Sequence, residues 1–356
     1  MLNKKILVTG CAGFIGFHVS QRLLLSGYSV MGLDNLNDYY DVRLKEARLE
    51  QLGIKQQNID FHQVITSLDN SDFRFTRLDL SDKTSIVDLF NAETFNYVIH
   101  LGAQAGVRHS LDDPHTYINT NITGFLNVLE GCRTNAVDHL VFASSSSVYG
   151  LNQNTPFSVH NSTDHPISLY AATKRSNELM AHTYSQLFGI PLTGLRFFTA
   201  YGPWGRPDMA LFKFTKAIIA GDQIEVYNYG KMKRDFTYID DLVDGLMLVF
   251  KKPPRANASW NAKNPDPASS SAPYRILNIG NNKPVTLLDF IRTIEEALGK
   301  KAKLELLPLQ PGDVPEAQAD VSDMEREFGY RPKTSIQDGI RKFVDWYLNY
   351  YQDSYI

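Results

Sequence analysis

The chain has 356 residues, of which 43% are hydrophobic and 21% are charged, and its formal net charge is -3. A globular chain of this length can bury a large core, and we expect it to form two coupled lobes. The slightly acidic balance argues against a nucleic-acid or membrane-surface partner, because proteins that bind these usually carry a basic excess or a basic stripe.

The N-terminal stretch "MLNKKILVTG" contains a short apolar run that glycines follow, which is not the pattern of a signal peptide. No apolar run in the sequence is long enough to span a bilayer. Two cysteines, Cys11 and Cys132, cannot make a disulfide framework and suggest a reducing compartment. We therefore expect a cytoplasmic protein.

Short apolar segments alternate with helical patterns through the first half of the chain. Their Val- and Ile-rich composition indicates βαβ units with a parallel sheet. The strand candidates in chain order are "KILVTG", "SVMGLD", "FRFTRLDL", "YVIHLGA", "HLVFASSSSVYG" and "LTGLRFF". The sequence thus predicts an α/β fold with a doubly wound parallel (Rossmann) sheet over residues 1–196, to which residues 237–252 return.

The pattern becomes irregular after "TAYGPWGRPDMA", and a smaller mixed α/β substrate lobe is predicted over residues 197–356. Its expected helices lie near residues 209–220, 240–252, 286–299 and 335–351. The segment 251–274 is rich in Pro, Ser and Asn, which is typical of a long exposed loop.

The stretch "GCAGFIG" places Gly10, Gly13 and Gly16 between the first strand and a helix. Glycines there allow a tight turn and let backbone N–H groups approach a pyrophosphate, although glycines also simply close many such turns. The next strand ends in Asp34, eighteen residues after Gly16. A carboxylate near this offset binds the ribose hydroxyls of NAD and repels the 2′-phosphate of NADP, which favours NAD; a helix cap or loop residue is the alternative.

The stretch "LYAATKRSNELM" places Tyr170 and Lys174 on one face of a predicted helix. Such a pair can be a surface feature, since Tyr227 and Lys231 have the same separation. The preceding strand, however, ends in the serine turn "ASSSSVYG" at the sheet edge where ligands bind. A phenol is almost fully protonated at neutral pH, and Lys174 with a nicotinamide cation would make Tyr170 a usable base.

Together these motifs resemble the extended short-chain dehydrogenase/reductases, and more narrowly the nucleotide-sugar epimerases. Four further stretches resemble the bacterial UDP-glucuronate 4-epimerases among them: "LDNLNDYYDVRLKEARL", "GVRHSLDDPHTYINTNITGFLNVLE", "LRFFTAYGPWGRPDMA" and "RDFTYIDDLVDG". The resemblance covers nearly the whole chain. It implies an isomerase of polysaccharide biosynthesis that converts UDP-glucuronate to UDP-galacturonate by transient oxidation at C4, with bound NAD. It also implies a homodimer formed through the helices near residues 115–133 and 168–188.

The resemblance assigns site residues one by one. It implies a catalytic Ser145, with Ser146 adjacent, beside Tyr170 and Lys174. It places cofactor contacts at Phe14, Ile15, Asn35, Asp79, Leu80, Gln104 and Asn121. It places Thr199 and Arg206 near the sugar carboxylate and Arg234 near the UDP phosphates. Asn121 could instead cap a turn, Arg234 could pair with Asp235, and Arg206 could pack beside Trp204. The chain departs from the family pattern at four positions, which are Gly102, His109, Ala317 and Gln318.

Other functions stay open to different degrees. A 4,6-dehydratase or a UDP-glucuronate decarboxylase would carry acidic residues where Ser146 and Ser147 stand. UDP-glucose or UDP-N-acetylglucosamine 4-epimerisation needs the same chemistry at C4 and stays possible. A redox sensor or scaffold that binds dinucleotide without turnover would be expected to lack Tyr170. The nine histidines show no ligand spacing with carboxylates, so no metal is predicted.

Overall fold

The computed structural model describes residues 4–310 and 314–352, and its contacts divide the chain into two compact units. The first consists of Met1–Gly150, Val159–Arg196 and Leu246–Leu277. The second consists of Leu151–Ser158, Phe197–Gly245 and Asn278–Ile356.

In the described residues the strands are β1 (Lys5–Thr9), β2 (Ser29–Asp34), β3 (Val64–Thr66), β4 (Phe73–Arg77), β5 (Tyr97–His100), β6 (His139–Ser145), β7 (Leu192–Phe197), β8 (Thr199–Tyr201), β9 (Gln223–Val226), β10 (Lys233–Tyr238), β11 (Tyr274–Ile279), β12 (Pro284–Thr286), β13 (Lys303–Leu306) and β14 (Glu316–Ala317). The α-helices in the same residues are α1 (Phe14–Leu25), α2 (Val42–Glu50), α3 (Lys83–Ala92), α4 (His109–Asp112), α5 (Pro114–Tyr117), α6 (Gly124–Asn135), α7 (Leu169–Phe188), α8 (Ala210–Ala220), α9 (Ile239–Phe250), α10 (Leu287–Leu298), α11 (Ser322–Phe328) and α12 (Ile336–Tyr350). A π-helical segment, Ile118–Thr123, joins α5 to α6.

The first unit is built on a mostly parallel sheet. Among the described residues its strand order is β11-β7-β6-β5-β1-β2-β4-β3. Strand β1 pairs in parallel with β2 and β5, and the β2–β4 and β5–β6 pairs are also parallel. Its strands bury apolar side chains such as Leu7, Val98 and Phe142. The predicted doubly wound fold is therefore confirmed, and all six strands expected from the sequence belong to this sheet.

Two strands of this sheet were not expected. Strand β3 runs antiparallel to β4, and its residues Val64 and Thr66 are exposed. Strand β11 comes from a later part of the chain and lies beside β7. An edge strand this short and exposed carries almost no periodic signal, which explains why the sequence did not reveal β3.

The expectation of an exposed loop over residues 251–274 is wrong for its second half. Ala268, Ser270, Ala272 and Tyr274 are buried, and the Ala268 carbonyl accepts the N–H of Ile276 at 2.8 Å. Turn-forming composition indicates that the backbone is irregular, but it does not indicate whether the irregular backbone is covered.

The limits of the two units differ from the sequence boundaries in three segments. Residues 151–158 lie in the second unit, where the N–H of Phe157 donates to the carbonyl of Gln318 at 2.8 Å. Residues 237–245 lie there too, because Asp241 accepts the backbone N–H groups of Lys333 and Thr334. Residues 253–277 instead lie in the first unit.

The second unit combines short strands with amphipathic helices. Strand β10 pairs with β12 antiparallel and with β14 and β8 in parallel, while β13 pairs with β9 in parallel. Helix α12 buries Ile340, Phe343, Val344 and Tyr347, which is the spacing of an apolar helix face. Its Trp346 lies 5.3 Å from the ring of Trp204.

Candidate functional site

The glycine turn between β1 and α1 is so tight that it admits no side chain at two positions. Gly10 has φ +72°, and a Cβ there would lie 2.7 Å from the backbone nitrogen of Gly102. A Cβ on Gly16 would lie 2.0 Å from the carbonyl oxygen of Gly10. Gly13 is the N-cap of α1 and supplies no capping side chain. The first N–H groups of this helix, including those of Phe14 and Ile15, therefore suit an anionic ligand.

Asp34 lies at the carboxyl end of β2, beside the glycine turn. Its Oδ2 accepts the N–H of Ala12 at 3.2 Å, and its Oδ1 accepts the N–H of Leu36 at 2.9 Å. The carboxylate is 8% exposed, so it is held by the backbone rather than by solvent. The structure thus brings the predicted ribose-binding residue to the predicted pyrophosphate turn.

A second carboxylate follows at the end of β4. Asn35 donates its side-chain N–H to Asp79 at 2.8 Å. Burial would raise the pKa of Asp79, but hydrogen bonds from Ser81 and Asn35 outweigh it and hold that pKa below its ordinary value. The next residue, Leu80, is buried and its carbonyl accepts the side chain of Asn127 at 2.8 Å. Asp79 is therefore an acceptor at neutral pH.

Asn121 joins the segment after β5 to helix α7, and it does not act as a simple turn cap. Its Oδ1 accepts the N–H of Gln104 at 2.8 Å, and its Nδ2 donates to the Gln104 carbonyl at 3.1 Å and to Thr173 Oγ1 at 3.1 Å. Its own carbonyl accepts the side chain of Asn177 at 2.6 Å. Asn121 belongs to the π-helical segment, a local feature that is frequent at functional sites.

The serine turn begins where β6 ends. The Ser145 hydroxyl oxygen lies 2.6 Å from the Ser147 hydroxyl and accepts the N–H of Ser147 at 3.2 Å. Ser145 and Ser146 are both partly exposed, whereas Ser144 is buried and donates to Glu178 at 2.6 Å. The alternation along the strand thus leaves Ser145 accessible to a ligand.

Tyr170 and Lys174 lie in the first two turns of α7, which Ser168 caps by accepting the N–H of Ala171. The Lys174 ammonium donates to the carbonyl of Ala143 at 2.9 Å and lies 6.0 Å from the centre of the Tyr170 ring. Lys174 is 2% exposed, and its burial lowers its pKa to about 8. Because Ala143 is two residues before Ser145, the lysine is held beside the serine turn.

The pair Tyr227 and Lys231 shares only the spacing. Tyr227 opens a 3-10 turn in which Asn228 and Tyr229 have φ values of 51° and 52°. The backbone there is not α-helical, so the two side chains do not share a helix face. Local context, rather than spacing, distinguishes the candidate catalytic pair.

The second unit carries the other three predicted site residues. Thr199 begins β8 and pairs with Phe236 of β10. Arg206 donates Nε to Asp208 Oδ1 at 2.9 Å and Nη2 to its other oxygen, so it does more than pack beside Trp204.

Arg234 donates to the carbonyls of Lys233 and Pro315, at 3.0 and 3.4 Å. The suggested partner Asp235 is fully buried and accepts backbone N–H groups of Asn281, Asn282 and Ala319 instead.

Sequence reasoning missed the residues that support the site. Thr173 accepts a hydrogen bond from the Asn121 side chain, and Asn177 donates one to the Asn121 carbonyl. Glu178 accepts a hydrogen bond from Ser144. Glu178 stands four residues after Lys174, so its place on the same helix face was visible in the sequence. Arg196 was also visible, as a charged residue in the middle of an apolar strand.

The described residues contain neither a metal-binding cluster nor a membrane-spanning helix. Within residues 4–310 and 314–352, no group of three or more His, Cys, Asp or Glu side chains is placed to hold a metal ion. In the same ranges, no helix is long and apolar enough to cross a membrane.

Comparison with known proteins gives consistent similarities. Residues 6–262 match the family described as NAD dependent epimerase/dehydratase. Protein CapI of Staphylococcus aureus is 54% identical over 98% of this chain and 99% of its own length. A probable UDP-glucuronate 4-epimerase of Rhizobium meliloti is 43% identical over 98% of both chains. The crystal structure of UDP-glucuronic acid 4-epimerase from Bacillus cereus, with UDP-glucuronic acid and NAD, superposes with a TM-score of 0.81 at 33% identity, covering 98% of this chain and 100% of that one.

Proposed function

Because the chain belongs to the NAD-dependent epimerase/dehydratase family, we propose that it is a UDP-glucuronate 4-epimerase. The observation that carries the proposal is the Tyr170–Lys174 pair, whose buried ammonium is held against the Ala143 carbonyl beside Ser145. The relatives named for this activity span the whole chain, so the proposal covers the substrate as well as the fold.

The residues around the glycine turn suit NAD. The turn has no room for a Cβ at Gly10 or Gly16, and a phosphate can accept hydrogen bonds from the N–H groups at the start of α1. Asp34 would bind the ribose hydroxyls. The remaining proposed contacts are those at Gly13, Phe14, Ile15, Asn35, Asp79, Leu80, Gln104, Asn121, Tyr170 and Lys174. When bound, NAD accepts a hydride from C4 of the sugar and returns it to the opposite face.

The protein's own part in the reaction is to hold the sugar and to move a proton. Tyr170 removes the proton from the C4 hydroxyl as the carbon is oxidised and returns it in the second half of the cycle. The Lys174 cation stabilises the phenolate form of Tyr170. Ser145, with Ser146 adjacent, hydrogen-bonds the same hydroxyl and orients it.

The substrate carboxylate makes decarboxylation a competing reaction, which residues of the second unit would suppress. Oxidation of UDP-glucuronate at C4 gives a β-keto acid, which loses carbon dioxide when the bond to the carboxylate is perpendicular to the new carbonyl plane. We propose that Arg206 binds this carboxylate as a bidentate fork, that Thr199 adds a hydroxyl hydrogen bond, and that Arg234 binds the UDP phosphates. Fixing the carboxylate away from that alignment favours epimerisation over decarboxylation.

Exposed apolar side chains support a homodimer. Leu126 of α6 and Leu179, Leu187 and Phe188 of α7 are between 39% and 67% exposed. Burying such side chains against a second copy would remove apolar surface from water. We propose that these helices pair with their symmetry mates and that the dimer acts in the cytoplasm, in polysaccharide biosynthesis. Light scattering that shows only monomer at micromolar concentration would contradict the dimer.

The function is tested by incubating the purified protein with a panel of UDP-sugars, without added NAD, and separating the products by chromatography. We expect UDP-glucuronate to yield UDP-galacturonate. Preferential conversion of UDP-glucose or UDP-N-acetylglucosamine would identify a different epimerase, and a pentose product would identify a decarboxylase.

Arg206→Ala tests the carboxylate contact. The variant should weaken UDP-glucuronate binding by about 2 kcal/mol, the value of a charged hydrogen bond, and should release some 4-keto pentose with NADH left behind. UDP-glucose has no carboxylate and is the matched control substrate. Equal losses on both sugars, with no decarboxylation, would show that Arg206 serves only its own loop.

A further inference from the structure

A completely buried ion pair lies one helical turn beyond Lys174. The Glu178 and Arg196 side chains are both 0% exposed. Arg196 donates Nε to Glu178 Oε1 at 2.8 Å and Nη2 to Oε2 at 2.9 Å. Burying two charges costs so much solvation free energy that an apolar pair of similar size is often as stable. The fold alone therefore does not explain why this pair is present.

The ion pair connects α7 to β6, the strand that ends in the proposed catalytic Ser145. Ser144 donates to Glu178 Oε1 at 2.6 Å, and the preceding residue, Ala143, accepts from Lys174 at 2.9 Å. Two consecutive residues of β6 thus hold two side chains that are one turn apart on α7. The next residue of the strand is Ser145. A shift of α7 along β6 would break both contacts and move Tyr170 away from that serine.

The pair is also balanced in charge. Along the helix axis, Glu178 is about 6 Å from Lys174, close enough for an unpaired carboxylate to stabilise the ammonium. Burial would raise the pKa of Glu178, but the charges of Arg196 and Arg175, together with hydrogen bonds from Arg196 and Ser144, outweigh burial and hold that pKa below its ordinary value. The Lys174 cation therefore faces a carboxylate whose charge is already compensated, and it stays available to Tyr170.

Other polar groups around the pair are few and come from four elements. Arg175 donates to Glu178 Oε2 at 3.0 Å and lies 3.7 Å from the exposed Asp164. The Arg196 guanidinium lies 4.9 Å from the ring centre of Tyr149, and Tyr274 donates to the main-chain carbonyl of Glu178 at 3.1 Å.

Near the base itself, Tyr117 and His100 come from other elements. Tyr117 packs edge-on against Tyr170, with ring centres 6.2 Å apart. Burial and the Lys174 charge lower the pKa of His100 to about 3, so His100 is neutral and adds no charge near the lysine.

We propose that Glu178 and Arg196 are positioning residues for the base: the pair fixes Tyr170 and Lys174 in register with Ser145, and Arg196 compensates the Glu178 charge, which leaves the Lys174 cation uncancelled. The proposal rests on the proposed function, because it assigns the pair to the acid/base step. Neither residue is expected to touch the substrate.

The test compares the pH dependence of kcat/KM in the holoenzyme variants Glu178→Gln and Arg196→Met. The acid limb of this profile reports the ionisation of Tyr170 with Lys174. Loss of the carboxylate leaves Arg196 and Arg175 uncompensated, so the limb should move to lower pH, by about half a unit or more. Loss of Arg196 leaves the carboxylate with only the partly exposed Arg175, so the limb should move to higher pH by a smaller amount. The double variant should return the limb to the wild-type position.

Two further variants separate position from charge and cover the case in which Arg196→Met does not fold. Ser144→Ala removes a hydrogen bond but no charge, so kcat should fall several-fold while the limb stays in place. Arg196→Lys keeps the charge and should also leave the limb in place. Arg292→Met, in an exposed ion pair with Asp289 on α10, is the matched control and should change neither quantity.

The outcomes are distinct from those of the proposed function. Turnover of UDP-glucuronate by the wild-type protein tests the proposed function. The acid limbs of the kcat/KM profiles are then compared with whichever UDP-sugar the wild-type protein converts as the substrate. Opposite shifts in the two single variants, with KM changed less than about twofold, support the pair's role. Shifts in the same direction, or lower activity with no shift in either variant, would overturn it and leave a purely structural pair.

Discussion

Replacing Lys174 by methionine should stabilise the protein at neutral pH while it abolishes turnover. The ammonium is 2% exposed and has one neutral hydrogen-bond acceptor, the carbonyl of Ala143. Its pKa falls from 10.5 to about 8 because burial disfavours the charge. Methionine has a similar length and no charge, so it removes the penalty and keeps most of the volume.

The magnitude follows from the pKa. Below pH 8 the lysine is charged in both the folded and the unfolded protein, and the full penalty applies; a shift of this size corresponds to about 3 kcal/mol. The hydrogen bond to Ala143 is lost in the variant, which offsets about 1 kcal/mol. The expected gain in the free energy of unfolding is therefore about 2 kcal/mol at pH 7. As pH rises from 8 towards 10.5 the native state loses its proton first, the penalty shrinks, and the gain should fall to near zero by about pH 9.5.

The assay is urea unfolding of nucleotide-free protein at a series of pH values, since bound cofactor would stabilise the wild type by mass action. Only the difference between variant and wild type is interpreted, because other groups that titrate at high pH are common to both. Lys45→Met is the matched control: that buried ammonium donates to the carbonyl and side-chain oxygens of Asn37, so its loss should destabilise. A Lys174→Met protein that is less stable than wild type at pH 7, or a gain that does not decline with pH, would refute the reasoning.

Two other predictions concern the base and the glycine turn. Tyr170→Phe should lower kcat by about 10²- to 10⁴-fold, as loss of an acid/base group does, while the purified protein keeps its NAD; near wild-type kcat would reject the assignment. Gly16→Ala would place a methyl group 2.0 Å from the Gly10 carbonyl oxygen, so the turn must move and the purified protein should contain little nucleotide. Gly27→Ala strains a backbone with φ +79° but meets no atom within 4 Å, so it shows whether backbone strain without a clash has the same effect; we expect it to keep its nucleotide.

The sequence predicted the parts of the fold that have strong periodic patterns. Six strands of the first unit's sheet and helix α7 were recognisable because apolar runs and helical faces persist over enough residues to be unambiguous. The burial of Ala268, Ser270, Ala272 and Tyr274 was not recognisable, since it depends on what packs over an irregular backbone. The same limit applies to β11, whose pairing with β7 joins segments far apart in sequence.

Within the site, the sequence named residues but not the contacts that hold them. It placed Lys174 beside Tyr170, yet the acceptor that positions the ammonium is a main-chain carbonyl, which no side-chain motif can reveal. It named Asn121, but not its bonds to Gln104 and Thr173, which require the π-helical segment to bring three elements together.

Arg206 shows why such contacts matter for substrate choice. Its Nε and Nη2 donate to the carboxylate of Asp208, and Trp204, two residues earlier, has φ +62°. Because Asp208 holds the guanidinium as a fork, Arg206 would lose less conformational entropy on binding a sugar carboxylate. A sugar carboxylate that bound Arg206 would share the guanidinium with Asp208 or displace it, and either event would cost part of the attraction. The proposed contact would thus contribute to affinity, as the Arg206→Ala prediction states, and would also fix the orientation of the sugar, which protection of a β-keto acid requires.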